Sequence, residues 1–65
     1  MFITVNGKRE EIGQLSLLEL LNHRNIIPER VVLELNGEII QPDAFETRLL
    51  NDGDVLEIVQ FVGGG

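Results

Sequence analysis

Short segments rich in β-branched and aromatic residues alternate apolar and polar positions, a pattern that predicts strands with one buried face. Asn-Gly pairs at positions 6–7 and 36–37 favour the tight turns of hairpins, and Asp52-Gly53 favours a turn before the longest apolar run. We therefore expect two hairpins and a separate last strand. The predicted strands are residues 2–5, 8–12, 31–35, 38–40 and 55–62.

The segment between the two hairpins predicts a helix. Ser16 precedes Glu19 by three residues, the spacing of a capping box, in which both side chains satisfy backbone N–H groups at the helix start. Three leucines then share one helical face, and a following proline limits the segment, so we expect the helix to end between His23 and Asn25. Those leucines are Leu17, Leu20 and Leu21.

The order of these elements predicts an α+β domain. Two strands, a helix, two strands and a final strand suit a mixed sheet of about four to five strands packed on one main helix, the ubiquitin-like β-grasp fold. A chain of 65 residues is too short for a second core. We expect residues 1–62 to form this single domain and residues 63–65 to form a flexible glycine tail.

Composition and charge narrow the classes of function. The net charge is −6 and the chain has no cysteine, so disulfides and thiol chemistry are excluded, and nucleic acid and anionic membranes are poor partners. Solubility alone is an equally good explanation of the acidity. The first residues contain no apolar run of the length that a signal peptide or a membrane span needs. We expect a cytoplasmic chain that is a monomer by itself and acts with protein partners.

The isolated polar residues do not suggest a catalytic or metal site. His23 lies near the predicted helix end, where exposure or a helix-dipole contact explains it. Asp52 and Asp54 flank a turn without the remaining ligands of a calcium loop, and Ser16 is a cap. The Gly-Lys pair at positions 7–8 lacks the spacing of a phosphate-binding loop. We therefore expect no catalytic residue, no metal and no cofactor in a chain that is not an enzyme.

The chain ends in three glycines, Gly63, Gly64 and Gly65. Extended, they reach about 10 Å, and without Cβ atoms they can pass through a narrow channel of a partner. The terminal carboxylate is unhindered and ionised at neutral pH, so it can attack a phosphorus centre when another protein supplies ATP. The alternative is that the glycines are a frayed terminus or a remnant of expression.

The last predicted strand has two apolar faces. If Leu56 and Ile58 pack on the helix, then Val59 and Phe61 lie on the opposite face of the sheet, next to the tail. An exposed apolar patch at this position would be a docking surface for partner enzymes. Alternatively, one of these side chains is partly buried at the sheet edge or by the connection over residues 42–50.

Three segments together resemble the ThiS family of sulfur carriers, part of the ubiquitin-like ThiS/MoaD group. The segments are residues 3–7 (ITVNG), 33–40 (LELNGEII) and 50–54 (LNDGD). The resemblance extends over the full length to the glycines at 64–65, and Phe45 matches an aromatic position of the family. There are two departures: residues 41–42 are Gln-Pro where many members have proline followed by arginine, and Gly63 adds a third glycine.

This resemblance implies a cycle in which a ThiF-like enzyme uses ATP and magnesium to adenylate the Gly65 carboxylate. Sulfur from a cysteine desulfurase or sulfurtransferase then replaces AMP, and the thiocarboxylate passes it to a ThiG-like thiazole synthase in thiamine biosynthesis. Gly63 and Gly64 are the implied threading tail. The alternatives are a MoaD-like carrier for molybdopterin synthase, a ubiquitin-like modifier of lysine, and a non-covalent β-grasp interaction domain.

Overall fold

The computed structural model describes residues 1–61, and residues 62–65 lie outside the described part of the chain. Every predicted strand and the predicted helix are present. The strands are β1 (Phe2–Val5), β2 (Lys8–Glu11), β3 (Val31–Leu35), β4 (Glu38–Ile40) and β5 (Val55–Gln60); the helix is α1 (Leu17–His23), and short 3-10 helices lie at Pro28–Arg30 and Pro42–Ala44.

Two strands are shorter than predicted, for the same reason. Glu11 pairs with Phe2, the first residue of β1, so β2 has no strand residue opposite position 12. Likewise, Gln60 pairs with Val31, the first residue of β3, and β5 ends there. Phe61 therefore follows the strand instead of lying within it, and position 62 is outside the described residues.

The strand β5 lies at the centre of the sheet, whose order is β2-β1-β5-β3-β4. It runs parallel to β1 and antiparallel to β3, and the hairpins β1–β2 and β3–β4 are antiparallel. The sheet is therefore mixed and has five strands. With α1 packed on one face, this architecture confirms the predicted α+β fold of β-grasp type.

Both hairpins turn through asparagine-glycine pairs with positive φ angles. Asn6 and Gly7 have φ values of 48° and 82°, and Asn36 and Gly37 have values of 52° and 86°. Two successive left-handed residues match the right-handed twist of the flanking strands, and asparagine and glycine are the residues that adopt this conformation most readily. The predicted hairpin turns are confirmed.

The helix begins with the predicted capping box. The Ser16 N–H donates to Glu19 Oε1 at 2.9 Å, and the Glu19 N–H donates to Ser16 Oγ at 3.1 Å. At the other end, Arg24 forms a two-point ion pair with Glu10 and so connects the end of α1 to β2. The capping box satisfies backbone groups at the start of α1, and the ion pair holds the end of α1 on the sheet.

The buried face of α1 is the predicted one, and the sheet contributes the alternate residues of its three inner strands. Each fully buried leucine contributes roughly 1.5–3 kcal/mol through removal of apolar surface from water. The core consists of Ile3, Val5, Leu17, Leu20, Leu21, Val31, Leu33, Leu35, Ile40, Phe45, Leu50, Leu56 and Ile58. Among residues 1–61, no helix combines the length and apolar character that crossing a membrane requires.

Candidate functional site

The end of β5 brings the chain to the predicted reactive tail. Gly63, Gly64 and Gly65 lie outside the described residues, so their threading and modification stay predictions. The structure does describe the segment from which the tail extends. That segment is held on one side by β3, because Val31 pairs with Gln60 and the Phe61 N–H donates to the Arg30 carbonyl at 2.8 Å.

On its other side, the end of β5 is held by a side chain. The backbone pairing of β1 with β5 reaches Val5 and Leu56, where β1 turns away towards β2. Asn6 then accepts a hydrogen bond from the Ile58 N–H at 2.7 Å through Oδ1 and donates to the Ile58 carbonyl at 3.2 Å through Nδ2. Its carboxamide therefore occupies the place that a longer β1 would take.

Sequence reasoning identifies Asn6 as a turn residue and misses this second role. Asn36, in the other hairpin turn, has a similar role at the start of β5. Its Oδ1 accepts from the Val55 N–H at 2.8 Å, and its Nδ2 donates to Asp54 Oδ1 at 3.0 Å. The turn motif is the available signal for both residues, and it says nothing about which strand the side chain will contact.

Val59 and Phe61 are both exposed, as the alternation along the strand predicts. Their exposed fractions are 54% and 57%, whereas Leu56 and Ile58 are buried against the helix. The alternative of partial burial at the sheet edge is therefore wrong for both residues. Whether they bind a partner stays a prediction.

The sheet face that points away from α1, here called the outer face, is apolar near Phe61 and acidic beside it. Val59 lies opposite Val32 on β3, and Glu57 lies opposite Glu34 in the same antiparallel ladder. Like charges directly opposite each other cost stability, and within residues 1–61 neither glutamate has a salt bridge. A cationic side chain of a partner would relieve this repulsion.

The acidic pair beside Gly53 is structural, as predicted. Asp52 Oδ1 accepts from the Phe2 N–H at 2.7 Å, and Asp54 Oδ2 accepts from the Asn51 N–H at 2.7 Å. These bonds close the turn that leads into β5. In the described part of the chain, no cluster of three potential metal ligands is present.

Ser16 and His23 likewise have structural positions. Ser16 is the helix cap, and the hydrogen bond from its N–H lowers the pKa of the Glu19 carboxyl below its ordinary value. His23 is in the last turn of α1, where a cation is favoured by the helix dipole. Within residues 1–61, neither side chain forms a hydrogen bond to β5, so these residues do not extend the candidate site.

Comparison with known proteins gives one consistent family. Residues 3–65 match the model of the ThiS family. The chain is 36% identical to the sulfur carrier protein ThiS of Bacillus subtilis, with 97% of this chain and 98% of that protein covered. It is also similar to the crystal structure of the thiamine biosynthesis protein ThiS from Geobacter metallireducens, with 39% identity, a TM-score of 0.84 and full coverage of both chains.

A third match is a larger protein. The whole of this chain is 35% identical to a segment of the thiazole synthase of Paramagnetospirillum magneticum and covers 20% of that protein's length. That polypeptide therefore contains a segment similar to this chain in addition to a much longer remainder.

Proposed function

The chain belongs to the ThiS family and has the sulfur-carrier role in thiamine biosynthesis for which its relatives are named, and we propose that Gly65 is the residue that carries the sulfur. The observation that carries this proposal is the family match over residues 3–65, which includes the glycine tail. The proposed reaction needs no catalytic side chain in this protein, because partner enzymes perform each chemical step.

The first proposed step is adenylation by a ThiF-like enzyme. An oxygen of the Gly65 carboxylate attacks the α-phosphorus of ATP, which the partner enzyme binds together with magnesium. The acyl-adenylate forms and pyrophosphate is the leaving group. An ionised carboxylate resists acyl substitution, whereas the mixed anhydride has AMP as a leaving group. The persulfide of a cysteine desulfurase or sulfurtransferase then displaces AMP from the acyl carbon and forms an acyl disulfide. A thiol attacks the sulfur that belongs to the donor enzyme, so the S–S bond breaks, the Gly65 thiocarboxylate leaves, and the donor cysteine ends in a disulfide with that thiol.

Glycine suits the three last positions because the reacting carboxyl group must enter the partner's active site. Residues without Cβ atoms pass a narrow channel without steric contact, and three extended residues reach about 10 Å. We propose that Gly63 and Gly64 thread this channel and that Gly65 reaches the ATP. A side chain at Gly64 would collide with the channel wall.

The outer face is the proposed docking surface for the adenylating enzyme. Val59 and Phe61 are exposed and lie immediately before the tail in sequence, so a partner bound to them would hold the tail at its own active site. Glu34 and Glu57 lie beside them as an opposed pair of like charges. An arginine or lysine of the partner would therefore fit this surface.

Thiazole synthase is the proposed acceptor of the sulfur. The supporting observation is the Paramagnetospirillum magneticum protein of that name, which contains a segment similar to this entire chain. A carrier and an acceptor within one polypeptide meet at a high effective concentration. We propose that this separate chain meets a ThiG-like enzyme by diffusion in the cytoplasm.

A loading experiment tests the proposal. The purified protein is incubated with a ThiF-like enzyme, ATP, magnesium, a cysteine desulfurase with cysteine, and a thiol as reductant. We expect the intact mass to rise by the difference between a sulfur and an oxygen atom, and fragmentation to place that change at Gly65. A variant that lacks Gly65 should stay unmodified and folded, since a terminal residue contributes little packing. A modification at an internal residue would contradict the proposal.

A further inference from the structure

Each of the two hairpin turns holds one end of β5 through an asparagine carboxamide. Asn36 accepts from the N–H of Val55, the first residue of the strand, and Asn6 accepts from the N–H of Ile58, near its end. Their φ angles are 52° and 48°. The two asparagines therefore share the accepting bond and differ in the end of the strand they hold and in the second partner, which is the Ile58 carbonyl for Asn6 and the Asp54 carboxylate for Asn36.

The bonds of Asn6 are at the point where β5 loses its neighbour on one side. Backbone pairing with β1 ends at Leu56, and Gln60 and Phe61 are held from the β3 side. Asn6 satisfies both backbone groups of Ile58, seven residues before Gly65 in sequence. Without the carboxamide, these groups would bond to water, and the last residues of β5 would be held along one edge.

We propose that Asn6 is a positioning residue for the reaction at Gly65, acting through Ile58 and the end of β5. This inference rests on the proposed function. A strand end held on both edges leaves the domain in a defined direction, so a partner that binds the outer face meets the tail near its channel. A strand end held on one edge samples more directions, and the partner must restrict them on binding.

The kinetic consequence is specific. Once the tail is in the channel, the Gly65 carboxylate and its surroundings are the same whether or not Asn6 is present. Loss of the carboxamide should therefore raise KM for the carrier and leave kcat of adenylation nearly unchanged. On binding, the partner must then supply the free energy that held the strand end. An amount equal to one net hydrogen bond corresponds to about a fivefold rise in KM.

The test compares Asn6→Gly with the matched control Asn36→Gly. Glycine accepts the positive φ angle at both turns, so the turns are retained. Asn6→Gly loses two side-chain bonds to Ile58, and Asn36→Gly loses one to Val55 and one to Asp54. Carrier-dependent exchange of pyrophosphate into ATP by a ThiF-like enzyme gives KM and kcat at a temperature where circular dichroism shows that all the proteins are folded. Hydrogen exchange at the Ile58 amide reports whether the strand end has loosened.

We expect Asn6→Gly to raise KM about fivefold with faster exchange at Ile58, and Asn36→Gly to keep the wild-type KM. A wild-type KM for Asn6→Gly would overturn the inference, and so would an equal rise for Asn36→Gly, because general loss of strand stability would then explain the effect. If the wild-type protein itself supported no exchange, the proposed function would fail instead.

Discussion

Replacement of Phe61 by alanine separates a docking role from a packing role. Phe61 is 57% exposed, so it buries less than half of its surface. A fully buried phenylalanine removes about 200 Å² from water, and at about 25 cal/mol per Å² the loss from Phe61→Ala is below about 2.5 kcal/mol. Because the denatured chain also buries part of this surface, the true cost is smaller.

Two other phenylalanines provide matched controls. Phe45 is 2% exposed in the core, so Phe45→Ala should cost about 3–5 kcal/mol of folding free energy. Phe2 is 40% exposed and lies beside the start of β5, since its carbonyl accepts from the Gly53 N–H at 2.7 Å. Phe2→Ala therefore removes an exposed ring from the end of the sheet that is remote from the tail.

The assay measures urea unfolding midpoints and the dissociation constant for a ThiF-like enzyme on the same samples. We expect Phe61→Ala to weaken binding by at least about 1–2 kcal/mol, about tenfold in the dissociation constant, with a modest loss of stability. Phe2→Ala should keep the wild-type affinity. Unchanged affinity for Phe61→Ala, or a loss of stability as large as that of Phe45→Ala, would refute this reasoning and place the docking surface elsewhere.

Three further outcomes concern the tail and the helix. Gly64→Val should reduce loading of the carrier severely without changing its thermal stability, because a branched side chain obstructs a narrow channel; loading at the wild-type rate would rule out threading. The pKa of the Glu19 carboxyl is lower in the folded protein than its ordinary value of 4.5. Ionised Glu19 therefore stabilises the fold at pH values above 4.5, and this contribution is lost as the pH falls through the pKa of the folded state. Glu19→Gln should therefore flatten the acid limb of a pH-stability profile, whereas an unchanged limb would contradict the assignment. A double-mutant cycle with Glu10→Gln and Arg24→Gln should give a coupling energy of about 0.5–1 kcal/mol that salt reduces; zero coupling at low salt would show that the ion pair contributes nothing.

Local sequence signals predicted most of the fold. The capping box at Ser16 and the Asn-Gly turns depend on interactions between residues a few positions apart, and the structure contains them. Alternation alone was sufficient to assign the buried and exposed faces of β3 and β5. These features can be predicted from the sequence because the interactions that cause them join residues close together in the chain.

The features that sequence reasoning missed depend on distant contacts. Asn6 bonds to a residue 52 positions away, and that partner is determined by the parallel pairing of β1 with β5, which no local motif encodes. The bond from Phe2 to Asp52 spans 50 positions and has the same origin. The sulfur chemistry at Gly65 followed from family resemblance, because a glycine tail alone specifies an accessible carboxylate and no reaction.

Transfer of labelled sulfur tests the central claim most directly. The carrier is loaded with a ThiF-like enzyme and a desulfurase that uses ³⁵S-labelled cysteine, purified, and then incubated with a ThiG-like thiazole synthase and its remaining substrates. We predict that the label leaves the Gly65 thiocarboxylate and appears in the thiazole product, while the carrier returns to its original mass. A carrier that is loaded but keeps its label while unlabelled thiazole forms would contradict the account.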